Sequence, residues 1–240
     1  MKPFLTVFIP AYNEVGNLSR CVQAVLAQMD SMGVSVEILI VDDASRDGSG
    51  ALADQLADQE PRLRAVHHPA NLGIGGAFKT ALQHARGEWL ILIPADLAIE
   101  PSELTRYLSA APQADVVVGL RSDLSDYNLP RKLVHQLNIF LLRSLFGTPL
   151  RQFQYISMYR LEVLRRMEVE YWRSAFFLAE ILIKAHVLGY RLVEVEVLYA
   201  PRITGRATGA KLRLVFLTVW DLLRFWLRRM LAGVVPRKNN

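Results

Sequence analysis

Over its first half the chain alternates short apolar runs with stretches of helical periodicity. Residues 4–9, 36–41, 63–67, 89–93 and 114–119 are apolar, largely β-branched or aromatic, and each is followed within a few residues by Pro, Gly, Asn or Asp. Each run reads as a strand. Between the first two, Leu18, Val22, Val25, Leu26 and Met29 fall on one face of a helix over residues 17–29. A glycine-rich stretch, Asn71 to Gly76, leads into a helix at 77–85, and Glu100-Pro101-Ser102-Glu103 opens another. Strands separated by helices predict an α/β fold with a mostly parallel sheet covered on both faces.

Beyond Arg121 the pattern is less regular. Residues 131–146 and 176–188 have helical spacing, and residues 191–197 alternate with period two, as a half-buried strand does. From about Lys211 an amphipathic helix carries Leu212, Val215, Phe216, Val219, Leu222, Leu223, Trp226, Leu227 and Met230 on one stripe. The chain therefore divides into an α/β unit, residues 1–210, and a basic C-terminal helix with its tail, residues 211–240. No internal repeat interrupts this order.

Composition sharpens the picture at three points. The chain has 240 residues, 52% of them hydrophobic, and a mean hydropathy of +0.19. Its long apolar stretches, around 133–146 and 212–234, are broken by Arg or Asp too often to span a bilayer unaided. The first strand begins almost at once, so no signal peptide is expected, and a cytoplasmic location is the default. The lone cysteine, Cys21, excludes an internal disulfide and reads as a small core residue. From residue 201 onward nine basic residues face one acid, a charge of +8, which leaves −3 of the total +5 for residues 1–200. A basic tail with aromatics at helical spacing fits an anionic lipid surface better than nucleic acid. It predicts a peripheral protein on the cytoplasmic face of the membrane, held by residues 211–240. Burial of the same stripe against protein, including a second copy of the chain, is the open alternative.

Candidate chemistry sits at the strand ends. In a parallel sheet the carboxyl edges converge into one crevice, and ligands bind there. The first strand delivers Pro10, Tyr12 and Glu14; the second, Asp42 and Asp43; the fourth, Asp96. Tyr12 could stack on a base, and Asp42 could accept from a base N–H. Asp96 could anchor Mg²⁺ or Mn²⁺ on a diphosphate. One of Asp42 and Asp43 is expected to cap or turn the backbone, and Asp47 with Gly48 reads as a turn and cap. Gly73, Gly75 and Gly76 could bring backbone amides to a phosphate. The five histidines, at 67, 68, 84, 135 and 186, lack metal-ligand spacing and read as structural or surface residues.

Taken together these residues resemble the family 2 inverting glycosyltransferases, which have the GT-A fold. The resemblance is carried by Ile9 to Glu14, Val41 to Gly48, Asn71 to Gly75, Ala95-Asp96 and Val118 to Arg121. Within the family the chain looks most like the dolichyl- and polyprenyl-phosphate hexosyltransferases, through Phe176 to Leu182, Gly189-Tyr190-Arg191, and Glu194 to Val197 leading to Pro201-Arg202 and Gly205 to Thr208. It implies a UDP- or GDP-sugar donor and a polyprenyl or dolichyl phosphate acceptor. It implies that Pro10, Tyr12, Glu14 and Asp42 line the nucleoside, with Gly73 nearby. Asp96 would hold a Mg²⁺ or Mn²⁺ cofactor and the diphosphate. Arg121, Arg131, Arg202 and Arg206 become candidate phosphate contacts, Arg121 toward the donor and the other three toward the acceptor.

The chain departs from that pattern in one direction, by losing acids. Pro94 stands where the relatives carry the first acid of Asp-X-Asp, and residues 151–160 contain no acid. A hydroxyl acceptor needs a general base, whereas a lipid phosphate is already anionic at neutral pH and needs only positioning and charge neutralisation. The missing acids therefore argue against a sugar hydroxyl acceptor more than against a phosphate acceptor. Two alternatives stay open: a transferase for another lipid or glycan, with Glu180 or Asp123 as its base, and a nucleotide-sugar-binding pseudoenzyme.

Overall fold

A computed structural model describes residues 2–123, 129–198 and 212–231. The elements follow in order: β1 (Leu5–Ala11), α1 (Val15–Ser31), β2 (Val36–Asp42), α2 (Ser49–Gln59), β3 (Leu63–His67), α3 (Gly73–His84), β4 (Trp89–Leu92), α4 (Leu104–Ala110), β5 (Val116–Arg121), α5 (Leu129–Phe146), β6 (Ser157–Arg160), α6 (Leu161–Arg166), α7 (Phe176–Val187), β7 (Leu192–Val197) and α8 (Leu212–Leu231). The strands form one sheet in the order β3-β2-β1-β4-β6-β5-β7. All neighbours are parallel except at β6, which runs antiparallel to both β4 and β5. β1, β2, β3, β4, β5 and β7 therefore all point their carboxyl ends to the same edge.

Period-two alternation assigns each strand's side chains to two cores. Leu5, Val7 and Ile9 of β1 and Ile38 and Ile40 of β2 pack under α1 and α4. Phe8, Leu39 and Val41 face the other way, under α3 and α7. The central strands are apolar on both faces because both faces are covered.

The structure differs from the sequence reading at β6 and α6, which were not expected. β6 is only four residues long and begins in a mixed polar segment, yet Met158 enters one core and Tyr159 the other. The glycine-rich stretch is also more helical than expected, since α3 begins at Gly73 itself. Two glycines allow close packing there. A Cβ on Gly75 would lie 1.8 Å from the Trp172 carbonyl oxygen, and one on Gly76 would lie 2.4 Å from Leu72 Cβ.

Helix α8 packs against the body of the protein. Phe225 contacts the rings of Phe146, Tyr171 and Phe176, with centroids 5.5 to 6.0 Å apart. Arg228 pairs with Glu170 at 2.8 Å. The single apolar stripe expected on this helix is thus two stripes. Leu222, Phe225 and Trp226 face inward, and Phe216, Val219, Trp220, Leu223, Leu227 and Met230 face outward.

Candidate active site at the carboxyl edge of the sheet

Three residues other than glycine have positive φ among the described residues: Asn13 at 58°, Ala44 at 61° and Leu97 at 56°. All three lie just past the carboxyl ends of β1, β2 and β4. Such conformations cost about 1–3 kcal/mol each and persist only where surrounding bonds dictate them. Here those bonds stitch the first two loops together. Asp43 N donates to Ala11 O (2.8 Å), Asn13 N to Ser45 Oγ (2.9 Å), and Arg46 N to Asn13 Oδ1 (2.8 Å). Glu14 N donates to Ser49 Oγ (2.8 Å), and Asp47 accepts from the amides of both Val15 and Ser49. Asp47 is therefore the turn and cap expected of it. Burial would raise its pKa, but the Ser49 hydroxyl and these amides outweigh that and hold it below the usual carboxylate value.

Within this frame Tyr12 exposes about half of its surface, and Pro10 lies beside it in register with Val41. Glu14 immediately precedes α1, and its Oε2 accepts from Asn17 Nδ2 at 2.7 Å. Asp42 is aligned with Ala11 on one side and His67 on the other. Only 5% of it is exposed: Oδ1 accepts from Ser45 N at 3.2 Å, and Oδ2 meets His67 Nδ1 at 3.2 Å. A base N–H would have to share those oxygens. His67 also meets Asp54 Oδ1 at 2.9 Å. The bond to Asp54 raises the His67 pKa above its ordinary value; burial opposes this, and Asp42 adds to it.

Asp43 is the backbone-capping member of the pair, and it acts at a distance. Its carboxylate accepts from Leu72 N and Gly73 N at 2.8 Å each and meets His68 Nδ1 at 2.7 Å. Gly73, with φ +73°, therefore gives its amide to Asp43 rather than presenting it to a phosphate. The glycine stretch serves the close approach of α3 to Trp172, and Asp43 fixes its start.

The fourth strand ends in a tight turn. Leu97 N donates to Pro94 O at 3.0 Å, and Ala98 N donates to Asp96 Oδ1 at 3.1 Å. The second of these bonds holds the partly buried Asp96 side chain against its own turn. Cys21 of α1 lies beneath it, with Sγ 3.7 Å from Pro94 O. Burial first, and the nearby Asp96 charge second, push the Cys21 thiol up to about 12, so it is unreactive as expected of a core residue.

Arg121 ends β5 at the same edge, two strands from β4 or about 10 Å across the sheet. Its amide donates to Gln152 Oε1 (2.7 Å) and its Nε to Asp123 O (2.7 Å). Buried Gln152 belongs to the acid-free segment whose role was not legible in the sequence. Arg131 lies on α5, its side chain outside the described residues; Arg202 and Arg206 lie outside them altogether. Glu180 is no general base. It is wholly buried and accepts from Glu170 N (2.9 Å), Tyr171 N (3.0 Å) and Lys184 Nζ (2.7 Å).

No three His, Cys, Asp or Glu side chains cluster to hold a metal ion among the described residues. A divalent ion at this edge would find one carboxylate at the end of the fourth strand, Asp96, and would need ligand phosphates and water to complete its shell. Mg²⁺ accepts such an arrangement. A cavity of about 570 Å³ opens at the opposite end of the sheet, but Arg62 and Arg64 on its wall already pair with Asp30, Glu60 and Glu37.

A mostly parallel sheet with tied loops and a carboxylate at the end of its fourth strand is an architecture of the GT-A type. Residues 6–168 match the model of glycosyl transferase family 2, and the chain belongs to that family. It is 32% identical over 223 residues to the undecaprenyl-phosphate 4-deoxy-4-formamido-L-arabinose transferase of Edwardsiella ictaluri, covering 92% of this chain and 67% of that protein. It is 28% identical over 232 residues to the undecaprenyl-phosphate mannosyltransferase of Micrococcus luteus, covering 91% and 94%. The chain thus spans about two thirds of the first relative's length and nearly all of the second's. Among solved structures, the fold matches glucosyl-3-phosphoglycerate synthase from Mycobacterium tuberculosis, in complex with Mn²⁺, UDP and phosphoglyceric acid (TM-score 0.71, 16% identity, 93% of this chain and 78% of that one). It also matches the Pyrobaculum calidifontis mannosyltransferase PcManGT in complex with GDP-mannose and Mn²⁺ (TM-score 0.66, 22% identity, 93% and 65%).

Proposed function

We propose that the protein transfers a hexose from a UDP- or GDP-sugar to a polyprenyl phosphate, with inversion, at a membrane surface. The observation that carries this reading is the single edge at which Tyr12, Asp42, Asp96 and Arg121 end their strands. The relatives' undecaprenyl-phosphate acceptors support the same acceptor class here. In the reaction a phosphate oxygen of the acceptor attacks the anomeric carbon from the face opposite the leaving group. The bond from that carbon to the nucleoside diphosphate breaks, and the diphosphate departs with the electron pair. Tyr12 and Asp42 would position the nucleoside, and Asp96 would hold a Mg²⁺ or Mn²⁺ ion on the diphosphate. When bound, the ion offsets charge on the leaving group. Arg121, together with Arg131, Arg202 and Arg206, would neutralise phosphate charge. No proton need leave the acceptor, which agrees with a site whose Asp42, Asp43 and Asp47 are engaged in holding the fold.

The test incubates the protein with UDP- and GDP-sugars, Mg²⁺ or Mn²⁺, and a short-chain prenyl phosphate, and reads glycolipid by mass. The expected result is product from one donor class. Asp96→Ala should lower its formation by about 10²-fold or more. Nucleotide binding without turnover across the whole panel would refute the reading.

A further inference from the structure

The two adjacent histidines at the end of β3 turn to opposite faces of the sheet, and each holds one member of the Asp42-Asp43 pair. Their bonds differ in kind. His68 Nδ1 lies 2.7 Å from Asp43 Oδ1, and its Nε2 lies 2.8 Å from Thr80 Oγ1. A neutral imidazole satisfies both partners, donating to the carboxylate and accepting from the hydroxyl. His67 has no such choice. Its Nδ1 lies 3.2 Å from Asp42 Oδ2, and its Nε2 lies 2.9 Å from Asp54 Oδ1. Ionised carboxylates only accept, so a neutral ring could donate to one of them and would turn a lone pair on the other. The imidazolium, with an N–H on each nitrogen, makes both bonds.

Three elements build this arrangement. The register of β2 and β3 sets His67 directly beside Asp42. Gly50 and Asp54 are four residues apart on α2 and share one face of it. Asp54 reaches His67 from that face, and Gly50 lets the helix backbone close over the bond between His67 and Asp42. A Cβ at Gly50 would lie 2.9 Å from Asp42 Oδ2 and 3.4 Å from His67 Nδ1. The charged groups that face His67 are thus Asp42 from β2 and Asp54 from α2, while its strand neighbour His68 is turned away to Asp43.

We propose that His67 is a positioning residue for the donor nucleotide: as an imidazolium it holds Asp42 by Oδ2 in the orientation that meets a base N–H, and nucleotide-sugar affinity falls when it loses its proton. This rests on the reading of Asp42 as the carboxylate that meets the nucleoside. Loss of the proton sets the Nδ1 or Nε2 lone pair against a carboxylate. It also leaves the charges of Asp42 and Asp54 uncompensated beside an anionic ligand. By linkage, the bound nucleotide sugar holds the proton on His67 by the same factor.

The experiment is isothermal titration calorimetry of the full chain with UDP-glucose and with GDP-mannose, at constant Mg²⁺, from about pH 5.5 to 8.5. The diphosphate of a nucleotide sugar carries no group that titrates in that range, so the profile reads the protein. The expected result is binding of at least one of the two that weakens by about tenfold as pH rises through the range, and a rise in the His67 pKa on binding, followed by NMR of the imidazole. Asp54→Asn leaves Asp42 untouched and removes one support of the imidazolium, so the midpoint of the profile should move to lower pH by on the order of half a pH unit. The Asp54 side chain is 62% exposed, so this variant should melt with the wild type. His67→Gln should bind at every pH with the wild type's high-pH affinity. A flat wild-type profile, an unmoved midpoint in Asp54→Asn, or a pH dependence that persists in His67→Gln would each overturn the proposal while leaving the nucleotide site standing. Failure of both nucleotide sugars to bind at any pH would refute the nucleotide site itself, and the proposal with it.

Discussion

Replacing Asp43 should cost more stability than any other acid at the site edge, because two backbone amides and an imidazole depend on it. The side chain is 5% exposed, with Oδ1 accepting from Leu72 N and meeting His68 Nδ1, and Oδ2 accepting from Gly73 N. Asp43→Ala removes every acceptor and strands both amides at the start of α3. A hydrogen bond to a charged group contributes about 1.5–3 kcal/mol, so losing the two amide bonds alone should destabilise by about 3–6 kcal/mol. For a chain of this size that is a fall in Tm on the order of 10 °C. Asp43→Asn sharpens the reasoning. Its carbonyl can keep the Oδ1 contacts, while its NH₂ would face the Gly73 amide, so it should lose about half as much. Urea denaturation followed by circular dichroism measures both variants. A loss under about 1 kcal/mol for Asp43→Ala, or equal losses for the two variants, would refute the capping argument.

Three further outcomes follow from the same geometry. Gly75→Ala places a methyl 1.8 Å from the Trp172 carbonyl oxygen, which is backbone on a tied segment, so it should destabilise by about 3 kcal/mol in the same denaturation assay. The His67 pKa is raised above 6.5 by Asp54 and Asp42. Its contribution is therefore full below that value and lost as pH rises through the higher folded value, and a stability–pH profile of His67→Gln should lack this component. Glu180→Gln turns an amide toward the Glu170 or Tyr171 N–H and should destabilise by about 3 kcal/mol, yet folded enzyme should keep most of its turnover; a loss of activity with unchanged stability would restore Glu180 as a base.

The sequence was most legible where one local rule decides. The β1, β2 and β4 runs are apolar on both faces because they are central parallel strands, and the structure places each within two residues of its expected ends. Asp47-Gly48 and Cys21 took the expected roles because turn chemistry and burial are local. What was not legible depends on distant partners. β6 is four residues long and gains its definition from β4 and β5 on either side. Asp43 caps a helix thirty residues ahead, so no short spacing in the sequence identifies it. Gly75 and Gly76 look like a phosphate loop until Trp172 and Leu72 are seen against them. On α8 the period was right, but the stripe had to be divided between an inner and an outer face, which only the position of Phe225 reveals.

That division between local and distant roles also explains how a site with so few acids could work. Asp42, Asp43 and Asp47 all lie at the carboxyl edge, yet each is engaged by the chain's own amides or histidines in holding the loops. They set the shape of the crevice and have little charge left to offer a cation. Asp96 differs in its place: it lies past the end of the fourth strand, where Ala98 N donates to its Oδ1, and it is only partly buried. A single carboxylate holds Mg²⁺ weakly, since most of the shell must come from phosphate oxygens and water. The cation and the nucleotide would therefore bind as a unit, each supplying what the other lacks. An acceptor that arrives as a phosphate fits the same economy of acids, because it calls on guanidinium groups such as Arg121 and asks for no base.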